Sequence, residues 1–261
     1  MSGFDLARFE AERDRLGLGL GRPLVWRDET ESTNDDAIAA AKAGAAHGAL
    51  FGAESQARGR GRRGSEWLSP PGAGLWFSVV LRPDLSPEVM PGLTLCAGLA
   101  VREAVATRAF ANVKVKWPND VLVERQKLAG ILVESQVSSG RLTSAVVGIG
   151  INVEQRAFPE RLASIATSLA LLEAVDRDRA VLLAEVLRGL EKRLPLLKSQ
   201  GLRGIAAELR RHDALLGVRL RVDGREGVGA GIDNEGRLLL QLPEGAPEPQ
   251  LSGHVELLAG P

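Results

Sequence analysis

Apolar residues recur at three- and four-residue intervals through residues 92–109 and 178–199, and each run predicts a helix packed along one face. In the second run Ala180, Leu183, Leu187, Leu190, Leu194 and Leu197 share that face, and Pro195 is expected to kink or end it. Elsewhere the apolar positions come in short continuous or alternating runs closed by breakers, the signature of strands: 48–55, 74–83, 113–117, 120–124, 129–137 and 145–153. The charged N-terminus reads as a short amphipathic helix. Residues 28–44 read as a polar turn entering a helix, with Ser32, Thr33 and Asn34 as candidate N-caps and Asp35 and Asp36 suited to its first turn. After about residue 213 only short strands remain, split at Asp223-Gly224 and Asn234-Glu235-Gly236 and closed by GHVELL. The pattern predicts an α+β fold: a mixed-sheet domain over 1–212 followed by a small β-barrel over 213–261.

Composition narrows the function. Thirty-three Lys and Arg balance 33 Asp and Glu, and the absence of tyrosine with 4% aromatics weighs against a dedicated nucleic-acid binder. The lone Cys96 excludes intrachain disulfides and cysteine-based zinc clusters, and its apolar surroundings read as a buried, inert thiol. Without a signal-like or membrane-spanning apolar run, the chain is expected to be cytoplasmic, with no membrane partner.

Three stretches carry candidate chemistry. Arg58, Arg60, Arg62 and Arg63 are threaded through glycines ahead of Trp67. Glycines let backbone N–H groups turn inward as an anion nest, and arginines add charge-assisted bonds to phosphate or carboxylate. By itself this loop suits a phosphate, an RNA or plain solvent. KWPNDVLVERQKLAGILVE (116–134) sets a tight Pro118-Asn119-Asp120 turn before Lys127 and Gly130. GIGINV (148–153) interrupts a buried strand with glycine and ends on Asn152; close strand packing is its plain alternative.

Taken in order, STN at 32–34, ESQARGRGRRGSEWLSPPGAGLW at 54–76, KWPNDVLV with KLAGILVE between 116 and 134, and GIGINV at 148–153 resemble the biotin–protein ligases, including the biotin–[acetyl-CoA-carboxylase] ligases. The resemblance runs from about residue 25 to the closing GHVELL. It implies a class II synthetase-like catalytic fold with a C-terminal SH3-like barrel. It also implies activation of biotin by ATP and Mg²⁺ to biotinyl-5′-AMP, then transfer to a lysine of a biotin carboxyl carrier protein domain. By resemblance, biotin falls to Ser32, Thr33, Asn34, Gln56, Arg60, Gly61, Arg62, Lys127 and Gly130. ATP and the adenylate fall to Arg60, Arg62, Arg63, Trp67, Asn119, Asp120, Lys127 and Asn152, with Lys127 and Arg62 catalytic and no metal ligand among the side chains. The loop would act as a lid over the intermediate, sealed by Trp67.

The chain departs from the family's G-R-R-G-R-x-W pattern at Ser65, with Arg58 as an extra cation upstream. Only 31 residues precede Ser32, fewer than the ~60 of a small DNA-binding domain, so a ligase without repressor function or a DNA partner is expected. A homodimer is compatible with the family. Lipoate ligation is the nearest rival, but lipoate has no ureido ring to engage the polar set at Ser32, Thr33, Gln56 and Arg62.

Overall fold

In the computed structural model, residues 3–82, 87, 90–109, 111–138 and 141–258 are described; the Pro83 end of the second predicted strand lies outside them. A helix α1 (Leu6–Arg15) precedes strand β1 (Leu24–Thr30), helix α2 (Thr33–Lys42), β2 (Leu50–Gln56), β3 (Gly74–Leu81) and helix α3 (Met90–Ala109). There follow β4 (Val113–Lys116), β5 (Asp120–Val123), β6 (Gln126–Ser138), β7 (Arg141–Asn152) and a one-turn helix α4 (Glu160–Ala163). These strands form one seven-stranded sheet in the order β1-β2-β3-β7-β6-β5-β4, parallel only between β1 and β2.

Period-two alternation divides the sheet's faces. On β3 and β7, Leu75, Phe77, Val79, Val147, Ile149 and Ile151 are buried in the main core. Helices α3 and α5 (Arg179–Gln200) cover that side. The other face carries Trp76, Ser78 and Val80 on β3, opposite Gly150, Gly148 and Val146 on β7. Here α2 covers only one end, where Ala37 and Ala41 pack with Ala49, Val80 and Val146 in a small separate cluster. Beyond the first turn of α2, whose Asn34 meets Gly148, no long helix among the described residues lies over the glycine-bearing remainder of that face.

Sequence expectation and structure differ at three places. Helix α5 continues past Pro195 to Gln200, because Leu197 is buried beneath Gly92 of α3, where a Cβ would lie 2.5 Å from Leu197 Cδ1. Strand β1 escapes the periodicity because Arg27, Asp28 and Glu29 are an exposed polar run on the sheet edge. Helix α6 (Arg203–His212) is also new, anchored by buried Ile205 and Leu209 one turn apart.

The C-terminal strands β8 (Arg219–Val222), β9 (Arg225–Ile232), β10 (Leu238–Gln241), β11 (Glu248–Gln250) and β12 (Val255–Leu257) form an antiparallel sheet ordered β11-β10-β9-β8-β12. Asp223 and Gly224 make its two-residue hairpin with φ of 44° and 88°, the pair of positive values a tight β-hairpin requires. Trp117, 2% exposed, donates from Nε1 to the Gly236 carbonyl at 2.8 Å, fixing this sheet against the β4–β5 turn. Cys96 is free and buried, its thiol pushed up to about 12 by burial first of all, and so is inert as expected.

Candidate active site

A cavity of about 640 Å³ opens on the uncovered face, within the ~300–1,000 Å³ usual for small-molecule sites. Its floor follows from strand register: Lys116, Asp120, Gly130, Gly150 and Trp76 lie side by side across β4, β5, β6, β7 and β3. Glycine is needed here for closeness. A Cβ on Gly150 would lie 2.4 Å from Trp67 Nε1, and one on Gly130 2.9 Å from Trp67 Cζ3. Two residues along β7, a Cβ on Gly148 would lie 2.0 Å from Asn34 Oδ1. The glycine pattern of GIGINV is a floor for side chains arriving from elsewhere.

An uncharged polar set closes one end. Ser32 stands at the N-cap of α2 but makes no capping bond, and with Thr33 and Asn34 it is buried against the cavity. Gln56 Oε1 accepts from Thr33 N at 2.9 Å, and Gln56 Nε2 donates to Ser69 Oγ at 2.7 Å. Ser78, fully buried on β3, lies 2.8 Å from Thr33 Oγ1 and 2.6 Å from Asn34 Oδ1. The Asn34 amide donates to Glu134 at 2.7 Å. Ser78 lies outside the quoted motifs and Glu134 closes KLAGILVE without a role assigned to it; only strand pairing brings the two here.

Cations hold the other end. Lys127 Nζ pairs with Asp120 Oδ1 at 2.7 Å and sits 5.1 Å from the Trp67 ring centroid. Its backbone is clamped on both sides, by β5 and by the segment after β7, where Lys127 N donates to the Ile165 carbonyl at 2.7 Å and Thr167 N to the Lys127 carbonyl at 2.9 Å. The same segment fixes Asn152, whose Nδ2 donates to the Thr167 carbonyl at 2.9 Å. Asn119 lines the cavity but spends its amide on the Ile131 carbonyl, bracing the turn at 2.9 Å. Lys116, which the motif reading left without a role, also lines the cavity. Burial lowers its ammonium below the ordinary lysine range, with Asp120 opposing and Lys127 adding to the depression.

The arginine loop spans the mouth as a narrow hairpin. Trp67 N donates to the Gly59 carbonyl at 2.8 Å and Gly61 N to the Ser65 carbonyl at 2.7 Å, with a 3₁₀ turn at Arg62–Gly64 between them. Ser65 Oγ donates to the Arg62 carbonyl at 2.9 Å, so it is part of the turn. The arginines separate. Arg60 reaches Asp35 at 2.6 Å and Glu134 at 3.0 Å, whereas Arg63 turns toward Ser252 and Asp223 of the C-terminal sheet at 3.5 and 3.8 Å. Arg58 pairs with exposed Glu31, away from the cavity lining. Arg62 faces the cavity, where burial and then Arg63 lower its pKa from the ordinary value, Asp120 opposing. Gly253, His254 and Val255 complete the rim from the C-terminal sheet. Apart from Arg58, the candidate residues implied by the resemblance all line one cavity, with Trp67 on the glycine floor against Lys127.

An uncharged polar pocket joined over a glycine floor to a cationic mouth defines a small-molecule site suited to a ligand with a neutral polar end and an anionic end. Residues 30–152 match the Biotin/lipoate A/B protein ligase family. The chain is 38% identical over 242 residues to the biotin–[acetyl-CoA-carboxylase] ligase of Mycobacterium tuberculosis, covering 88% of each protein. It is 37% identical over 240 residues to the bifunctional ligase/repressor BirA of Bacillus spizizenii, covering 88% of this chain and 74% of that protein. The Aquifex aeolicus biotin protein ligase solved with biotin and ATP superposes with a TM-score of 0.76 at 30% identity, over 90% of this chain and 98% of that one. The chain belongs to the biotin protein ligases of this family.

Proposed function

We propose that this chain joins biotin to ATP, releases pyrophosphate and passes the biotinyl group to a lysine of a carrier domain of the acetyl-CoA carboxylase type. The observation that carries the reading is one cavity with uncharged donors and acceptors at one end and Lys127 and Arg62 at the other. A ureido ring needs both donors and acceptors in a dry slot, which Ser32, Thr33, Asn34 and Gln56 supply. The acid's carboxylate then runs over Gly130 toward Lys127.

For the adenylate to form, a carboxylate oxygen must bond to the α-phosphorus. The bond from that phosphorus to the bridging oxygen breaks, and its electron pair leaves on pyrophosphate. Both reactants are anions, so fixed cations must offset their repulsion before they meet. Lys127 supplies one such charge between carboxylate and α-phosphate, and Arg62 and Arg60 supply others from the loop. Asn152 orients the adenylate. Asp120, already paired with Lys127, orients the incoming lysine amine, which attacks the acyl carbon and expels AMP. Among the described residues no three of His, Cys, Asp and Glu cluster as metal ligands. Mg²⁺ belongs to this reading as a companion of ATP, where it would offset part of the phosphate charge beside Lys127 and the loop arginines. A cytoplasmic setting fits ATP as a substrate, and no helix among the described residues is long and apolar enough to cross a membrane.

Biotin-dependent pyrophosphate release from Mg·ATP, with lipoate in parallel, tests the reading. Turnover with biotin alone is expected; turnover with lipoate alone would overturn the assignment of the polar end.

The loop is expected to behave as a lid. Its ties Arg58–Glu31, Arg60–Asp35 and Glu66–Arg161 are exposed pairs, each contributing roughly 0.2–1 kcal/mol, so opening costs little. Trypsin should cut after Arg58, Arg60, Arg62 or Arg63 in the free protein and much more slowly with biotin and ATP present. Equal cleavage rates in the two states would exclude a ligand-ordered lid.

A further inference from the structure

Five cationic side chains line the cavity, Arg60, Arg62, Arg63, Lys116 and Lys127, against two carboxylates, Glu66 and Asp120. Most of this charge is already answered within the protein. Arg60 is held by Asp35 and Glu134, Arg63 is directed at Asp223, Lys127 is held by Asp120, and Glu66 is engaged by Arg161. Two cations are left unanswered among the described residues: Arg62 on the loop, already assigned to the mouth, and Lys116 on the sheet. Lys116 is half-buried, it makes no ion pair or hydrogen bond with any described residue, and the carboxylate nearest it in register, Asp120, is paired with Lys127. A lysine on a solvated strand face needs no explanation, but one set into a cavity wall without a counter-ion is a standing electrostatic cost that an anionic ligand would remove.

Register says which anion. Lys116 lies two strands from Gly130, across β5, and three from Gly150. At ~4.8 Å per strand that is roughly 10 and 14 Å. An acid anchored at Ser32, Thr33 and Gln56, with its carboxylate over Gly130 at Lys127, has Asp120 between itself and Lys116. The charge beyond it on the same floor belongs to the nucleotide's phosphate chain.

We infer that Lys116 is a further catalytic residue of the adenylation step, its ammonium seating the pyrophosphate that departs from ATP. This rests on the reading of the cavity as an adenylating site. As the bond from the α-phosphorus to the bridging oxygen breaks, negative charge grows on pyrophosphate, and a preplaced ammonium is worth most at that moment. Lys127 acts on the attacking side and Lys116 on the leaving side, with Asp120 between them keeping two ammonium groups compatible in one wall.

The test compares wild type, Lys116→Gln and Lys116→Arg by calorimetric titration with inorganic pyrophosphate and with biotin separately, together with biotin-dependent ATP–pyrophosphate exchange. Glutamine keeps the length and removes the charge. It should weaken pyrophosphate roughly ten- to hundred-fold, as loss of a charged hydrogen bond does, and slow exchange by at least that factor. Biotin affinity should stay within about two-fold, and arginine should restore most of both losses. Pyrophosphate affinity and exchange within two-fold of wild type in Lys116→Gln would overturn the inference, as would equal weakening of biotin and pyrophosphate, which would mark a structural role. A wild-type chain without biotin-dependent exchange would overturn the parent reading, while the pyrophosphate titrations would still judge the seat at Lys116.

Discussion

Lys127→Ala is expected to abolish biotinyl-adenylate formation, by roughly 10²–10³-fold or more, while the protein stays folded and still binds biotin. The size follows from where Lys127 sits. Its backbone is gripped from both sides and its ammonium is held between Asp120 and the Trp67 ring, so the charge is in place before any ligand arrives. A preorganised charge is worth more than a mobile one because nothing must reorganise as the reaction proceeds. Truncation has a second effect: it leaves Asp120, 18% exposed, as an anion facing the approaching carboxylate and phosphates. Lys127→Ala/Asp120→Asn should therefore recover part of the loss, and a single-turnover adenylation assay on the cycle of variants measures that coupling. Near-normal adenylation in Lys127→Ala would remove Lys127 from the mechanism.

The second large effect concerns stability. Arg193, on α5, is fully buried. It donates to the Gly189 carbonyl at 2.7 Å, to Glu103 of α3 at 2.5 Å and to Glu208 of α6, tying three helices behind the sheet. Arg193→Ala should cost about 3–5 kcal/mol, because both carboxylates lose their buried partner. At roughly 2–4 °C per kcal/mol for a chain of this size, calorimetry should show a fall of about 6–20 °C. Replacing all three residues by well-packed apolar ones should be far milder. The pH dependence has a definite sign. Burial raises the Glu103 pKa, but Arg193, with a smaller contribution from Lys192, leaves the carboxyl below its ordinary value. That contribution is present above the ordinary carboxylate range and is lost as pH falls through the lowered pKa, so Arg193→Ala should flatten the acid side of the stability profile. A shift below about 2 °C would show that the cluster carries little of the stability.

Much of the site was legible because its motifs are local. The 116–134 stretch is a tight hairpin and the strand it feeds, so Asp120, Lys127 and Gly130 stay within a few residues of one another in sequence and in space. The arginine loop closes on itself for the same reason, through bonds from Trp67 to Gly59 and from Gly61 to Ser65. Legibility fails where partners are remote. Glu134 meets Arg60 across 74 positions and Asn34 across 100. The resemblance assigns Arg63 to the nucleotide, and only the fold shows that its side chain, on a backbone with φ of 54°, also meets Asp223 and Ser252 of the C-terminal sheet. Lys116 looked like half of a polar-apolar alternation, and only its lack of a partner in three dimensions distinguishes it.

Periodicity along the chain determined which strand residues face the core and where α3 and α5 lie, since alternation and backbone sterics act between neighbours in sequence. The tertiary structure alone decided that the glycines of β6 and β7 stand shoulder to shoulder beneath Trp67. It also decided which cations are already neutralised by the protein and which await a ligand. Charge pairing acts through space, so its outcome depends on which distant strands the fold makes adjacent.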